Sequence, residues 1–139
     1  MAFEFLEHTA DLKFRASGDS FSAALTESAK ALFTAIAGDS EIRPEKEHRF
    51  TIKIHKPQLL ARDFLAELLY QFSAEHMLFS EFELDLKEAM GYKLDVIARG
   101  EPFDESRHKL IKEVKAVTYH DLVAEEREGG WVIEVICDT

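Results

Sequence analysis

The sequence predicts an α+β fold in which a mixed β-sheet packs with two α-helices, as a single domain over residues 1–139. Several short segments alternate apolar and polar residues with the period of a β-strand, and two longer segments repeat apolar residues at helical spacing. The length suits one hydrophobic core, and 46% hydrophobic with 32% charged residues is an ordinary globular balance. We find no repeat or long linker, and we expect both helices on one face of the sheet.

The first third of the chain predicts two strands and a helix. Residues 2–17 are expected to form two short strands around a break near residues 8–11. Ser20 is a suitable N-cap for the helix, and Gly38 is expected to end it. The apolar positions at helical spacing, which we assign to the core, are Phe21, Leu25, Ala29, Leu32, Phe33 and Ile36.

The middle of the chain predicts a strand, a helix and a hairpin. Residues 50–54 alternate apolar and polar side chains as a strand does, and Pro57 marks a break in the pattern after them. Residues 60–72 carry the apolar stripe of the second helix, and residues 82–96 predict a β-hairpin that turns at Gly91.

The last part of the chain predicts a loop and two strands. Residues 102–108 are polar and are expected to form a loop, and residues 114–123 are expected to form one strand. Gly129 and Gly130 predict a tight turn that leads into a closing strand over residues 131–138.

The charge balance disfavours direct, general binding of nucleic acid. Acidic residues outnumber basic ones by 27 to 17, which gives a net charge of −10, and such a surface repels phosphate backbones. A basic protein partner or a hard metal ion is easier to reconcile with this charge. Taken alone, however, the charge is explained as well or better by solubility.

The expected location is the cytoplasm. No apolar stretch is long enough to cross a bilayer, so we expect no membrane association, and the start of the chain lacks the pattern of a signal peptide. The single cysteine, Cys137, rules out an intramolecular disulfide and suits a reducing compartment.

The segment His8-Thr9-Ala10-Asp11 is the first candidate site, because it falls at a break between two alternating stretches. Polar side chains can converge at such a break without filling the core. On local grounds alone, a capping or turn role for Asp11 is the favoured interpretation.

The segment from Lys115 to His120 is the second candidate site. In a strand, Thr118 and His120 share one face and Tyr119 lies on the other. His120 is a candidate general base, metal ligand or partner contact, although a hydrogen-bonded structural role is commoner for a single strand histidine.

The end of the chain is the third candidate site. Strand periodicity separates the faces of Cys137 and Asp138, and the α-carboxylate of Thr139 is expected beside the Asp138 carboxylate. Two close anionic groups need a cation, a proton or solvent, and oxygen ligands suit Ca²⁺, Mg²⁺ or Mn²⁺ better than zinc. The alternative is a tail that frays in water.

Motifs for nucleotide binding and covalent catalysis are missing from the sequence. No glycine-rich phosphate loop, Gly-x-Ser-x-Gly elbow, cysteine pair or His-x-x-x-His cluster is present. The sequence therefore offers no obvious nucleotide site or nucleophile.

Several segments together resemble the archease family over essentially the whole chain. The most specific are the His-Thr-Ala-Asp segment at residues 8–11 and the Lys-Ala-Val-Thr-Tyr-His segment at residues 115–120, followed by Gly130-Trp131 and Asp138. Phe5-Leu6-Glu7, Ala31-Leu32-Phe33, the segment 63–69 and the loop 100–104 also match. The chain departs from the family pattern at Phe64 and Ala66, where Trp and Asn are expected.

The resemblance implies both a site and a function. It implies a metal site made by Asp11, Asp138 and Thr139, with Ca²⁺ favoured and Mg²⁺ or Mn²⁺ as alternatives, and His8, Lys115, Thr118 and His120 as partner or supporting contacts. It implies an accessory protein, not an enzyme, that activates an RtcB-type tRNA-splicing RNA ligase. The family promotes guanylylation of the ligase's active-site histidine, supports multiple turnover and relaxes the ligase's choice of nucleotide.

Two other functions stay open on the sequence alone. A metal-dependent hydrolase would use Asp11, His120 and Asp138, and turnover by the isolated chain that a chelator abolishes would support it. A general chaperone or adaptor of RNA-processing proteins would bind several unrelated clients without depending on a ligase.

Overall fold

The computed structural model describes residues 1–7 and 11–139. Along the described chain, eight strands and two helices follow one another. Their bounds are β1 Ala2–Leu6, β2 Leu12–Gly18, α1 Phe21–Ala37, β3 Lys46–Ile54, α2 Pro57–Glu75, β4 Met77–Glu88, β5 Tyr92–Pro102, β6 Ala116–Val117, β7 Val123–Arg127 and β8 Gly130–Asp138.

The strands form two sheets in which every described pairing is antiparallel. The larger sheet has the order β1-β2-β8-β6, with β7 also paired to β8, and the smaller sheet has the order β3-β5-β4. The α+β class with two helices is confirmed. The structure differs from the expected mixed sheet because β4–β5 and β7–β8 are joined by short turns, and a short turn permits only antiparallel pairing.

Both helices begin and end near the positions that the sequence predicts. The Ser20 Oγ accepts a hydrogen bond of 3.0 Å from the Ala23 N–H at the start of α1. At its end, Gly38 adopts a φ of 62° and donates its N–H to the Thr34 carbonyl. The second helix is longer than expected, since it starts at Pro57 and runs to Glu75.

One hydrophobic core lies between the helices and the two sheets. Helix α1 packs against β2 and β8 of the larger sheet and against β4 of the smaller one, and α2 contacts β3, β6 and β7. Each helix therefore contacts both sheets rather than covering one face of a single sheet. Phe64, at a position that departs from the family pattern, is fully buried in this core beside Phe50. Neither of the described helices has the length and apolar character needed to cross a membrane.

One expectation for the last third of the chain is wrong. Residues 114–123 do not form one strand, because a turn separates the two-residue strand β6 from β7, and Asp121 in that turn has a φ of 49°. This left-handed conformation cannot continue a β-ladder. The loop expected at 102–108 is confirmed after Pro102, where β5 ends, and its last residue, His108, is buried beside Phe103.

Candidate functional site

The candidate site lies at one end of the larger sheet, where β8 is the central strand. Leu12, the first residue of β2, is paired with Cys137 of β8, and Asp11 and Asp138 are the residues next to this pair in the chain. On the other side of β8, Ala116 of β6 is paired with Asp138. The Leu12–Cys137 pair therefore places Asp11 of the first candidate segment and Asp138 of the third at the same end of the sheet, although more than a hundred residues separate them in sequence.

The second candidate segment meets the same strand end. The Lys115 N–H donates a hydrogen bond of 2.8 Å to the Asp138 carbonyl. This bond extends the pairing of β6 with β8 beyond Ala116, so that Lys115 and Thr139 occupy adjacent positions at the edge of the site. Asp138 and Thr139 are both exposed.

The buried thiol of Cys137 lies close to two carboxylates of this site. Cys137 is fully buried, and burial together with the negative charges of Asp138 and Asp11 raises the pKa of its thiol to about 12. Asp11 and Asp138 therefore both lie near the buried sulfur at this end of the sheet. Such a thiol is protonated and unreactive at neutral pH.

The donor set at this strand end fits a hard cation. Asp11 and Asp138 offer carboxylate oxygens, which are the ligands that Ca²⁺, Mg²⁺ and Mn²⁺ prefer. In the described part of the chain, no group of three or more His, Cys, Asp or Glu side chains is placed to hold a metal ion. A metal ion here would therefore rely on the two aspartates, Thr139 and water.

A groove opens beside Asp11. It has a volume of about 820 Å³ and lies between the end of β1, the start of β2 and the C-terminal half of α1. Its lining includes apolar Phe5 and Ile111 and charged Glu7 and Lys112. The carboxylate site therefore adjoins a concave surface of mixed polarity.

The turn after β6 carries Thr118 and His120. The Thr118 hydroxyl donates to the Ile136 carbonyl at 2.9 Å and accepts from the His120 N–H at 3.2 Å. The His120 side chain is 70% exposed, and its Nε2 lies 3.3 Å from Oδ2 of Asp121. Thr118 thus ties the turn to β8, and His120 points toward solvent instead of sharing a strand face with Thr118.

Sequence reasoning missed Arg62, which links α2 to this turn. Its Nε donates to the Val117 carbonyl at 3.2 Å, and its guanidinium carbon lies 4.8 Å from the centre of the Tyr119 ring. Arg62 occupies an ordinary position in an amphipathic helix, and 55 residues separate it from Val117. No local pattern could have assigned it to the site.

Of the residues predicted for the site, the structure brings together Asp11, Lys115, Asp138 and Thr139 at one strand end, with Thr118 and His120 in the next turn. His8 lies outside the described residues. The metal-binding and partner-binding roles stay predictions.

Comparison with known proteins gives a consistent result over the full length. Residues 3–139 match the model of the Archease protein family. The protein archease of Methanopyrus kandleri is 41% identical over 139 residues, which cover 99% of this chain and 99% of that protein. The protein archease of Pyrococcus abyssi is 35% identical over 138 residues, which cover 98% of this chain and 97% of that protein.

A solved structure is similar as well. The solution structure of Methanobacterium thermoautotrophicum protein 1598 superposes with a TM-score of 0.87 at 32% sequence identity. The match covers 99% of each chain.

Proposed function

Because the chain belongs to the archease family, we propose that it is an accessory protein, not an enzyme, that activates an RtcB-type tRNA-splicing RNA ligase. In this proposal it promotes guanylylation of the ligase's active-site histidine, supports multiple turnover and broadens the ligase's use of nucleotides. The covalent chemistry belongs to the ligase. The observation that carries the proposal is the pairing of Leu12 with Cys137, which places the neighbouring Asp11 and Asp138 at the same end of the sheet.

The proposed metal ligands are Asp11, Asp138 and Thr139, with Ca²⁺ as the favoured ion and Mg²⁺ or Mn²⁺ as alternatives. When bound, the ion would supply positive charge to the phosphate oxygens of a nucleotide. A site with few protein ligands keeps coordination positions for water or an incoming ligand, as hard cations commonly do.

The surrounding residues would hold the carboxylates and meet the partner. The Lys115 N–H fixes the Asp138 carbonyl, which restrains the backbone that carries the carboxylate. Thr118 anchors the neighbouring turn to β8, and the exposed His120 is available for a partner contact. We assign His8 to the same group of partner or supporting contacts.

The net charge supports a basic partner. An RNA ligase must carry a basic channel for RNA. The net charge of this chain is −10, which is complementary to such a basic surface. Opposite charges steer association and orient the two proteins.

A guanylylation assay with the ligase, GTP and each divalent metal tests the proposal. We expect Asp11→Asn to abolish stimulation and to lower Ca²⁺ affinity by more than the roughly tenfold typical of a supporting residue. Asp19→Asn, at an exposed position away from the site, removes the same charge and is the matched control. Residues added after Thr139 convert its α-carboxylate to an amide and should also weaken Ca²⁺ binding.

Each outcome of this assay bears on a different claim. Full stimulation by Asp11→Asn would refute the role of Asp11, and unchanged Ca²⁺ affinity in the extended chain would remove Thr139 from the ligands. No stimulation by the wild-type chain with any metal would overturn the proposed function. Chelator-sensitive turnover by the isolated chain would instead support a metal-dependent hydrolase, and equal binding to unrelated clients would support a general chaperone.

A further inference from the structure

Tyr119 is an exposed aromatic side chain that is nevertheless held in place. Its side chain is 56% exposed at the tip of the turn between β6 and β7. The Arg62 guanidinium packs over the ring at 4.8 Å, and Arg62 is itself fixed by its hydrogen bond to the Val117 carbonyl. A guanidinium that lies over an aromatic face is attracted to the ring, and this contact restrains the orientation of Tyr119.

The backbone beneath Tyr119 is also restrained. The Leu122 N–H donates to the Tyr119 carbonyl at 3.3 Å, and the Thr118 hydroxyl closes the other side of the turn by accepting from the His120 N–H. Asp121 adopts a φ of 49°, a left-handed turn conformation that aspartate adopts more readily than most residues other than glycine.

The turn is continuous with the carboxylate site. Val117, just before the turn, is paired with Cys137, and Asp138 follows directly on β8. The surface from Asp11 through Asp138 to Tyr119 therefore spans neighbouring strands of one sheet end. Carboxylates of Asp63, which contacts Arg62, and of Asp121, which contacts His120, flank the turn.

We propose that Tyr119, positioned by Arg62, is the anchor by which the chain docks on its ligase. This inference rests on the proposed function, because it names the contact surface of that same partner. Tyrosine dominates binding energy in interfaces out of proportion to its frequency, and a ring restrained before binding loses little entropy on docking. The partner surface that fits is a pocket for the phenol ring rimmed by basic side chains, which face the carboxylates around the turn.

Arg62 is a positioning residue in this scheme. Lysine at the same position retains the charge but lacks the planar group that lies over the ring and the Nε–H that reaches the Val117 carbonyl. Arg62→Lys should therefore leave the charge of the surface unchanged while freeing the Tyr119 ring.

The test is the dissociation constant of the ligase complex, measured by calorimetry with full-length proteins. We expect Tyr119→Ala to weaken binding by at least about tenfold and Tyr119→Phe, which keeps the ring, to weaken it by no more than about threefold. Tyr70→Ala is the matched control, since Tyr70 is 59% exposed and lies on α2 with Arg62. Tyr70→Ala should leave the dissociation constant unchanged.

Two further readouts separate an anchor from a structural residue. Arg62→Lys should weaken binding, and in a Tyr119→Ala background, where the ring is absent, Arg62→Lys should weaken it little further. Ca²⁺ affinity should stay at the wild-type value in all these variants, because they leave the carboxylates intact. If Tyr119→Ala lowers the melting temperature but leaves the dissociation constant unchanged, the residue is structural and the inference is overturned.

The inference and the proposed function fail in different ways. If the wild-type chain stimulates the ligase and Asp11→Asn does not, but Tyr119→Ala binds as tightly as wild type, only the inference falls. If the wild-type chain neither binds nor stimulates the ligase, both fall.

Discussion

At the scale of single residues, Glu101 is the most constrained charged group described in the chain. It is only 4% exposed, and it accepts hydrogen bonds from the Arg43 N–H at 2.6 Å, from the Arg107 guanidinium and from Nε2 of His108 at 3.1 Å. The His108 Nδ1 accepts from the Asp104 N–H, so its ring proton is assigned to Nε2. This network fastens the segment after β5 to the core.

These contacts make folding stability depend on pH. Burial alone raises the pKa of Glu101, but the hydrogen bonds from Arg43, Arg107 and His108 outweigh it and lower the pKa from 4.5 to about 2. Because the folded pKa is depressed, the stabilisation is fully present above pH 4.5 and is lost as the pH falls toward 2.

Glu101→Gln tests this link by urea unfolding across that pH range. At neutral pH we expect the variant to lose about 1–3 kcal/mol of stability, since a buried network loses its charged acceptor. The difference from wild type should shrink as the pH falls toward 2. Glu81→Gln, at an exposed position of β4, should match wild type throughout. If the difference in unfolding free energy between Glu101→Gln and wild type does not depend on pH, the lowered pKa assigned to Glu101 is contradicted.

At the scale of elements, the pairing of β4 with β5 depends on a close backbone approach. The register of β4 against β5 shifts between Phe79 and Glu81, and Phe79 at this irregularity is paired with Gly100 of β5. A Cβ atom at Gly100 would lie 1.7 Å from the Leu78 carbonyl oxygen, which leaves no room for any side chain. Glycine is therefore required by packing at this position rather than by a left-handed conformation.

Gly100→Ala should accordingly destabilise the fold by overpacking, by about 1–3 kcal/mol. Gly129→Ala is the comparison, because Gly129 has a φ of 80° but a Cβ atom added there would meet no other atom within 4 Å. The loss of stability caused by Gly129→Ala should be limited to backbone strain of about 1–2 kcal/mol. Thermal unfolding of both variants measures the difference, and a smaller loss for Gly100→Ala than for Gly129→Ala would show that the strands separate at little cost.

At the scale of the whole molecule, charge governs how the chain meets its proposed partner. A net charge of −10 should steer the chain toward the basic surface of the ligase. Exposed charges act over a Debye length of about 8 Å at physiological ionic strength, so the steering is sensitive to salt.

The association rate with the ligase should therefore fall as salt increases, while the dissociation rate changes less. Stopped-flow measurements across ionic strengths check this. Replacing Glu81 by Gln and Asp85 by Asn, both exposed on β4 in the smaller sheet, should lower the association rate at low salt without affecting dissociation. An association rate that does not respond to salt would rule out electrostatic steering.

Local patterns in the sequence determined the class of fold and most of its elements. The N-cap at Ser20, the helix end at Gly38 and the turn at Gly91 depend only on residues a few positions away, so they can be predicted without the tertiary structure. The closing strand was also predicted, with Cys137 and Asp138 on opposite faces, and the structure shows that Cys137 is buried and Asp138 is exposed.

Only the tertiary structure decided which distant segments meet. The pairing of β2 with β8 places Asp11 and Asp138 at the same end of the sheet, and the packing of α2 places Arg62 over Tyr119. Neither arrangement can be recognised from a periodic pattern in the sequence. The turn that interrupts residues 114–123 was missed for the same reason, since hydrogen bonds from the Thr118 backbone and side chain to the Ile136 carbonyl on β8 hold it. Strand register is set by the packing of whole sheet faces and by the closure of long loops, and a local sequence pattern contains no information on either.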